Sequence, residues 1–399
     1  MTPPREGIPN HGALCNARDV DAPASAPVTV CFVARADFES KPGGDTVQWQ
    51  MYDHAARQAG LRVTTWFDDS PMPRADVFHA FNIDRPLELY PKLAEVRRLR
   101  LPFVMSAIHH PHPWLARFRR FQPPTGFLGR WLYRSPIGRS VPASETAREV
   151  ALLLRQRRLT YVGDLRRSWA VRVRWLLAEA ARVALLSRAE AASVGADLGY
   201  DVRPAQALVL PNWAEGLGEA PAAAPALFRE LPEAPVIVVG RIEPRKNSVR
   251  ICRLAEVARR HVVFVGRPHP GERGFVEAFR QATRASRYAR WIPGVSRSEM
   301  AQFYGHGRFL LNASFVEVSP LVDIEALSFG CPIVTTKYAL HHELLPPNTP
   351  VCEPYDEHSI LEWLRWRPDR AEPRPVVDAE RCKRTLVETY RELARAGAG

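Results

Sequence analysis

The chain has 399 residues, about 2.7 nominal domain lengths, which excludes a single small module and predicts two or three domains. Hydrophobic residues at 46% and charged residues at 25% are those of a globular protein, and no stretch approaches the roughly 18 to 20 consecutive apolar residues of a membrane span. The formal charge is +12, and six cysteines without CxxC pairing or zinc-finger spacing suit a reducing, cytoplasmic setting rather than a disulfide framework.

Residues 1–27 carry no apolar segment behind a basic start, so they read as a flexible arm and not as a secretory signal. From 28 to 213 the apolar runs VTVCFVAR (28–35), RVTTWF (62–67), DVFHAF (76–81), PFVMSAI (102–108), ARVALLS (181–187) and ALVLP (207–211) read as buried strands. Helical patterns near 45–59, 88–99 and 188–198 lie between several of them, which predicts a parallel sheet covered by helices. Between Arg100 and Trp175 fifteen arginines face only Glu145, Glu149 and Asp164, a local excess equal to the charge of the whole chain. Trp114, Arg117, Arg119, Arg120, Trp131 and Arg134 fall here, and guanidinium groups beside aromatic rings suit an anionic membrane surface or an acceptor held there.

Residues 214–235 lose all periodicity and are rich in Ala, Pro and Gly, as an interdomain linker is. A second alternating set follows over 236–375, with strands PVIVVG (235–240), HVVFVG (261–266), RFLLNAS (308–314) and PIVTT (332–336) and helices near 248–260, 272–286, 297–304 and 320–329. The prediction is an α/β protein of two Rossmann-like, doubly wound domains, closed by an amphipathic segment over 376–399 that periodicity assigns to neither domain.

Ligands of open α/β sheets bind beyond the carboxyl ends of strands, so four loops are candidates. Arg241 and Lys246 flank a strand-to-helix turn and suit a diphosphate, since a helix N-terminus adds backbone donors. Glu317 lies in the next loop and Glu325 inside the following helix, where a carboxylate pairs well with ribose hydroxyls. Ser319 is placed to cap that helix, with Pro320 at its first position. Gly43-Gly44 lets backbone approach a ligand, and His109-His110-Pro-His112 follows the fourth strand without the HExxH or CxxC partners of a metal site. The only D-x-D lies in the arm, GxxxxGK[ST] is absent, and no GxGxxG follows a strand, which argues against nucleotide triphosphate hydrolysis and dinucleotide binding.

Together VGRIEPRKN, EVSPLVDIEALSFGCPIVTT with its two glutamates eight positions apart, PGGD and LPNWAE resemble a family 4 retaining glycosyltransferase of the GT-B fold, over roughly residues 28 to 360. The resemblance implies two domains facing a central cleft, with Arg241 and Lys246 on the donor diphosphate, Glu325 on the ribose and Glu317 on the transferred sugar. Gly43, Gly44, Ser319 and Leu321 would line the donor, and His109, or equally His110, would stand near the reacting carbon. It implies a nucleotide-sugar as substrate, no cofactor, no metal, and a cell-envelope or exported-glycan acceptor, lipid-linked at the inner membrane face. Where many members have glycines after the first glutamate, this chain has Val318-Ser319-Pro320, which motivates a catalytically silent GT-B scaffold as the alternative. Nucleic-acid binding by the basic stretch leaves the second-half motifs without a role.

Overall fold

A computed structural model of the chain describes residues 27–35, 38, 43–67, 69–122, 140–156 and 166–397. The six apolar runs of the first half all form strands: β1 (Thr29–Val33), β2 (Arg62–Trp66), β3 (Val77–Phe81), β4 (Phe103–Ser106), β5 (Arg182–Leu185) and β6 (Ala207–Val209). They pair in parallel in the order β2-β1-β3-β4-β5-β6. The second sheet contains β7 (Val236–Val239), β8 (Val262–Val265), β9 (Ala289–Ile292), β10 (Phe309–Leu311), β11 (Ile333–Thr336) and β12 (Val351–Cys352), also parallel, in the order β12-β11-β10-β7-β8-β9. Numbered within its own domain the second order is 6-5-4-1-2-3, the Rossmann arrangement, whereas the first is the flavodoxin-like arrangement with one strand added. Unbroken apolar strands such as Val236–Val239 and Val262–Val265 suit sheets covered on both faces. The edge strands β9, Ala-Arg-Trp-Ile, and β12, two residues long, have too little apolar pattern to be read from sequence.

Helices Gly44–Gln58, Pro86–Arg98 and Arg188–Leu198 in the first domain match the sequence pattern, as do Ser248–Ala258, Arg273–Ala285, Met300–His306 and Leu321–Ser328 in the second. Within the basic stretch the chain adds His112–Phe121, Val141–Gln156 and Trp169–Glu179. The segment 214–235 turns at left-handed Gly216 and Gly218, and its Leu217 and Phe228 are buried against the second domain. The last helix, Ala379–Gly397, returns to the first domain. Its Leu386, Val387, Tyr390 and Leu393 share a core with Val30, Phe32, Met51 and Trp213, and Tyr390 Oη lies 2.6 Å from His79 Nδ1.

The helix His112–Phe121 turns Trp114 and Arg119, expected at a membrane surface, toward the protein. Phe118 stacks on Phe315 at 5.5 Å, Phe121 meets Tyr355 edge-on at 5.0 Å, and Trp114 meets Tyr338 at 5.5 Å, so these rings pack onto the second domain. The Arg117 guanidinium lies 3.9 Å over the Tyr355 ring and bonds to the Tyr338 hydroxyl. Arg119 is buried against Glu145 and Ser144. Arg117 and Arg120 are exposed, whereas Trp131 and Arg134 lie outside the described residues. The arginine excess is also partly internal: Arg172 is fully buried against Glu149.

Candidate active site

The strand order reverses between β7 and β10 in the second sheet and between β1 and β3 in the first, and the loops leaving these strands are where ligands of such sheets bind. After β7 the chain turns at Gly240, whose φ of 145° only glycine adopts readily. A Cβ on Gly266, at the end of β8, would stand 1.9 Å from the Gly240 carbonyl oxygen, so the two strand ends approach at backbone distance. This bend delivers Arg241 and a short 3-10 turn, Pro244–Lys246, into a cleft also lined by Ser248, Asn312 and Ser314. The first domain meets it at Gly43, where a Cβ would lie 3.8 Å from the Arg241 guanidinium. The expected neighbours Gly43 and Arg241 are therefore brought together from opposite domains.

Glu317 is buried, and Lys246 Nζ donates to its Oε1 at 2.5 Å while Arg245 Nη1 donates to its Oε2 at 3.0 Å. Burial pulls this carboxyl upward, but Arg245 and Lys246 outweigh it and hold it well below the usual carboxylate range. Arg245 also donates to Glu243 Oε1 at 3.0 Å, and Arg241 stands 3.3 Å from Glu243 Oε2. Burial opposes ionisation of Glu243 too, and Arg245, Arg241 and Lys246 together lower it. Sequence reading missed Arg245 and Glu243; the signal was the alternation of charge in Arg241-Ile-Glu243-Pro-Arg245-Lys246.

Ser319 does not cap the following helix. Pro320 holds that position, the helix starts at Leu321, and Ser319 Oγ is buried without a hydrogen-bond partner. The Ser319 carbonyl accepts instead from Asn212 Nδ2 at 3.2 Å, and Asn212 Oδ1 accepts from Gln48, a bridge between domains. Glu325 accepts from the Tyr304 hydroxyl at 2.7 Å on Oε2. Arg297 Nη2 lies 2.7 Å from Oε1 but off the hydrogen-bonding direction, which leaves Oε1 buried without an aligned donor. Ser248 Oγ, at the start of the helix after β7, is likewise buried and unpartnered.

In the first domain the chain reaches the histidines through Ile108 at φ 50°, a conformation that β-branched residues resist and that clusters at functional sites. His109 is fully buried, its Nδ1 2.9 Å from Asp84 Oδ1 and its Nε2 3.0 Å from Asp197 Oδ2. Burial pulls this imidazole down, yet the two aspartates raise it to about 10. Its backbone N–H donates to Glu190, whose carboxyl burial pushes up to about 7. With both ring nitrogens engaged and no exposed surface, His109 cannot itself touch a ligand in the cleft. His110, a quarter exposed and 3.2 Å from Asp84 Oδ2, is the open member of the pair.

Residues 225–366 match the family model for glycosyl transferases group 1. No curated protein matches the chain. Among solved structures, sucrose-phosphate synthase from Thermosynechococcus elongatus aligns with a TM-score of 0.60 at 14% identity, covering 92% of this chain and 94% of its own. HepE of Anabaena in complex with UDP-glucose aligns at 0.57 and 14%, covering 92% and 94%. WaaG, a glycosyltransferase involved in lipopolysaccharide biosynthesis, aligns at 0.53 and 16%, covering 92% and 94%. At such identities the likeness concerns the fold, and it extends over both domains. The chain thus has the two-domain GT-B fold, and residues 225–366, most of its second domain, match the model of the glycosyl transferases group 1.

Proposed function

We propose that the chain is a retaining, family 4-type glycosyltransferase that moves a sugar from a nucleotide diphosphate donor to a glycan acceptor without a metal at the diphosphate. The observation that carries this reading is the pair of buried, unpartnered hydroxyls Ser248 Oγ and Ser319 Oγ, together with Glu325 Oε1, which faces Arg297 without an aligned donor, in the domain that presents Arg241 and Lys246. Buried polar atoms are normally paired, and donor hydroxyls and phosphate oxygens supply the missing partners. Arg241, Lys246 and the N-terminus of helix Ser248–Ala258 stabilise the charge that develops on the leaving diphosphate. A diphosphate oxygen takes the acceptor hydroxyl proton on the face it leaves, which retains the anomeric configuration. Arg245 holds Glu317 ionised toward the sugar, and His110 closes the first-domain side. HepE, solved with UDP-glucose and with UDP and glucose, supports a UDP-sugar as the first donor to test. The role of WaaG in lipopolysaccharide biosynthesis supports a cell-envelope acceptor, lipid-linked in this reading.

The test is thermal stabilisation of the purified protein by UDP, GDP, ADP and their sugar conjugates, followed by transfer assays with the stabilising donor. A ligand bound only by the native state raises stability by RT ln(1 + [L]/Kd). Stabilisation by one nucleotide series with transfer that added Mg²⁺ or Mn²⁺ does not accelerate supports the enzyme. No stabilisation by any nucleotide removes it and leaves the scaffold reading.

A further inference from the structure

The histidine loop contains a constellation that sugar transfer does not use. His109, His112 and Asp197 each offer one ligand atom, and the three atoms lie within 4.8 Å of one another. His109 Nε2 is already 3.0 Å from Asp197 Oδ2. His112 Nε2 is buried with no hydrogen-bond partner, and its ring stands 5.1 Å from the His109 ring. Two carboxylates, Asp84 and Asp197, face the two ring nitrogens of the fully buried His109, and Asp84 also faces His110. An orphaned imidazole nitrogen beside such a cluster calls for a partner that accepts lone pairs.

We propose that His109 Nε2, His112 Nε2 and Asp197 Oδ2 bind one zinc-type divalent cation. Two imidazoles and a carboxylate are a ligand set that zinc takes in tetrahedral geometry, with water in the fourth position. Bonds of about 2.0 to 2.1 Å set the ligand atoms roughly 3.4 Å apart, so the His112 ring closes inward by on the order of 1 Å. Asp84 is the positioning residue: its Oδ1, 2.9 Å from His109 Nδ1, fixes the tautomer that presents Nε2 to the metal. Asp197 is oriented by the His112 backbone N–H at 2.7 Å. The cation ties the loop after β4 to helix Arg188–Leu198 and thereby holds His110 at the cleft. Its role is structural, and it stands independently of the transferase reading.

The full chain is stripped with a chelator, reconstituted with Co²⁺ or Zn²⁺ and desalted. The expected result is one metal per chain, visible bands of four-coordinate Co²⁺ that Zn²⁺ bleaches, and a higher melting temperature with zinc. His112→Ala abolishes the bands, and Asp84→Asn weakens binding 10- to 100-fold. Circular dichroism reports whether each variant is folded; should His112→Ala fail to fold, the Asp84→Asn titration decides. Substoichiometric cobalt in the unaltered chain, bands that persist in folded His112→Ala, or an unchanged affinity in Asp84→Asn overturns the proposal. Because the readout is metal content and not turnover, its failure is distinct from failure of the transferase assignment.

Discussion

In the proposed reading the chemistry concentrates on Glu317, Lys246 and Glu325, and each has a measurable consequence. Lys246→Ala and Glu325→Ala each weaken donor binding by about 1.5 to 3 kcal/mol, the worth of one charge-assisted hydrogen bond, which isothermal titration with the stabilising nucleotide measures. Binding near that of the unaltered chain in both variants refutes the donor assignment. Glu317 also carries a pH signature. Its folded carboxyl is depressed below the ordinary 4.5, so its contribution to stability is complete above that value and is lost as pH falls further. Glu317→Gln therefore melts at lower temperature at pH 7 and shows a shallower loss of stability than the unaltered chain below about pH 4.5. Equal acid slopes in both proteins contradict the clamp by Arg245 and Lys246. Arg241, Lys246, Glu317 and Glu325 were visible from spacing and residue type. The exclusion of His109 from the cleft was not, because only packing reveals that its ring is fully buried between Asp84 and Asp197.

Among the elements, the bend after β7 and the helix His112–Phe121 decide how the cleft is built. Gly266→Ala places a carbon 1.9 Å from the Gly240 carbonyl oxygen, and the clash is with backbone that cannot rotate away. The variant loses at least the roughly 1 to 3 kcal/mol typical of overpacking, and donor affinity falls with it, since Arg241 follows Gly240 directly. Chemical denaturation beside nucleotide titration checks both effects; an unchanged unfolding midpoint refutes the close approach. In the helix His112–Phe121, Arg119→Ala leaves the buried Glu145 carboxylate with only the half-exposed Arg148, 3.4 Å from its Oε2, at a cost of about 1.5 to 3 kcal/mol in unfolding experiments. A purely solvated arginine at that site predicts a change near zero. Sequence reading found the composition of this helix but not its direction, because an arginine-rich amphipathic pattern looks the same whether the rings face lipid or another domain.

At the level of the whole molecule, contacts from three regions hold the domains together. The last helix crosses back to the first core, Asn212 bridges Gln48 and Ser319, and the Phe118, Phe121 and Trp114 rings pack on Phe315, Tyr355 and Tyr338. Leu186, Val318 and Leu340 form a small apolar cluster between the domains, so Val318, at a position where glycine is frequent among proteins of this resemblance, serves packing. With Arg119 buried, membrane attachment through this helix falls to the exposed Arg117 and Arg120 and is weak, since each arginine near an anionic leaflet contributes roughly 1 kcal/mol. Sedimentation with anionic vesicles at low salt is accordingly expected to be at most slightly above that with zwitterionic vesicles, and Arg117→Glu with Arg120→Glu removes the difference. Strong, salt-sensitive retention that survives the change of both arginines assigns membrane binding to another surface.

Unbroken apolar runs and the punctuation between them determined two parallel α/β domains, because strands buried on both faces must be apolar throughout. Motif spacing located the loops that carry Arg241, Lys246 and Glu317 and the helix that carries Glu325, because these segments follow directly from strand ends. Tertiary structure alone decided where the last helix docks, which face of helix His112–Phe121 is covered, and that Gly43 meets Arg241. These depend on contacts between residues up to several hundred positions apart, as His79 with Tyr390, and local periodicity carries no record of the partner.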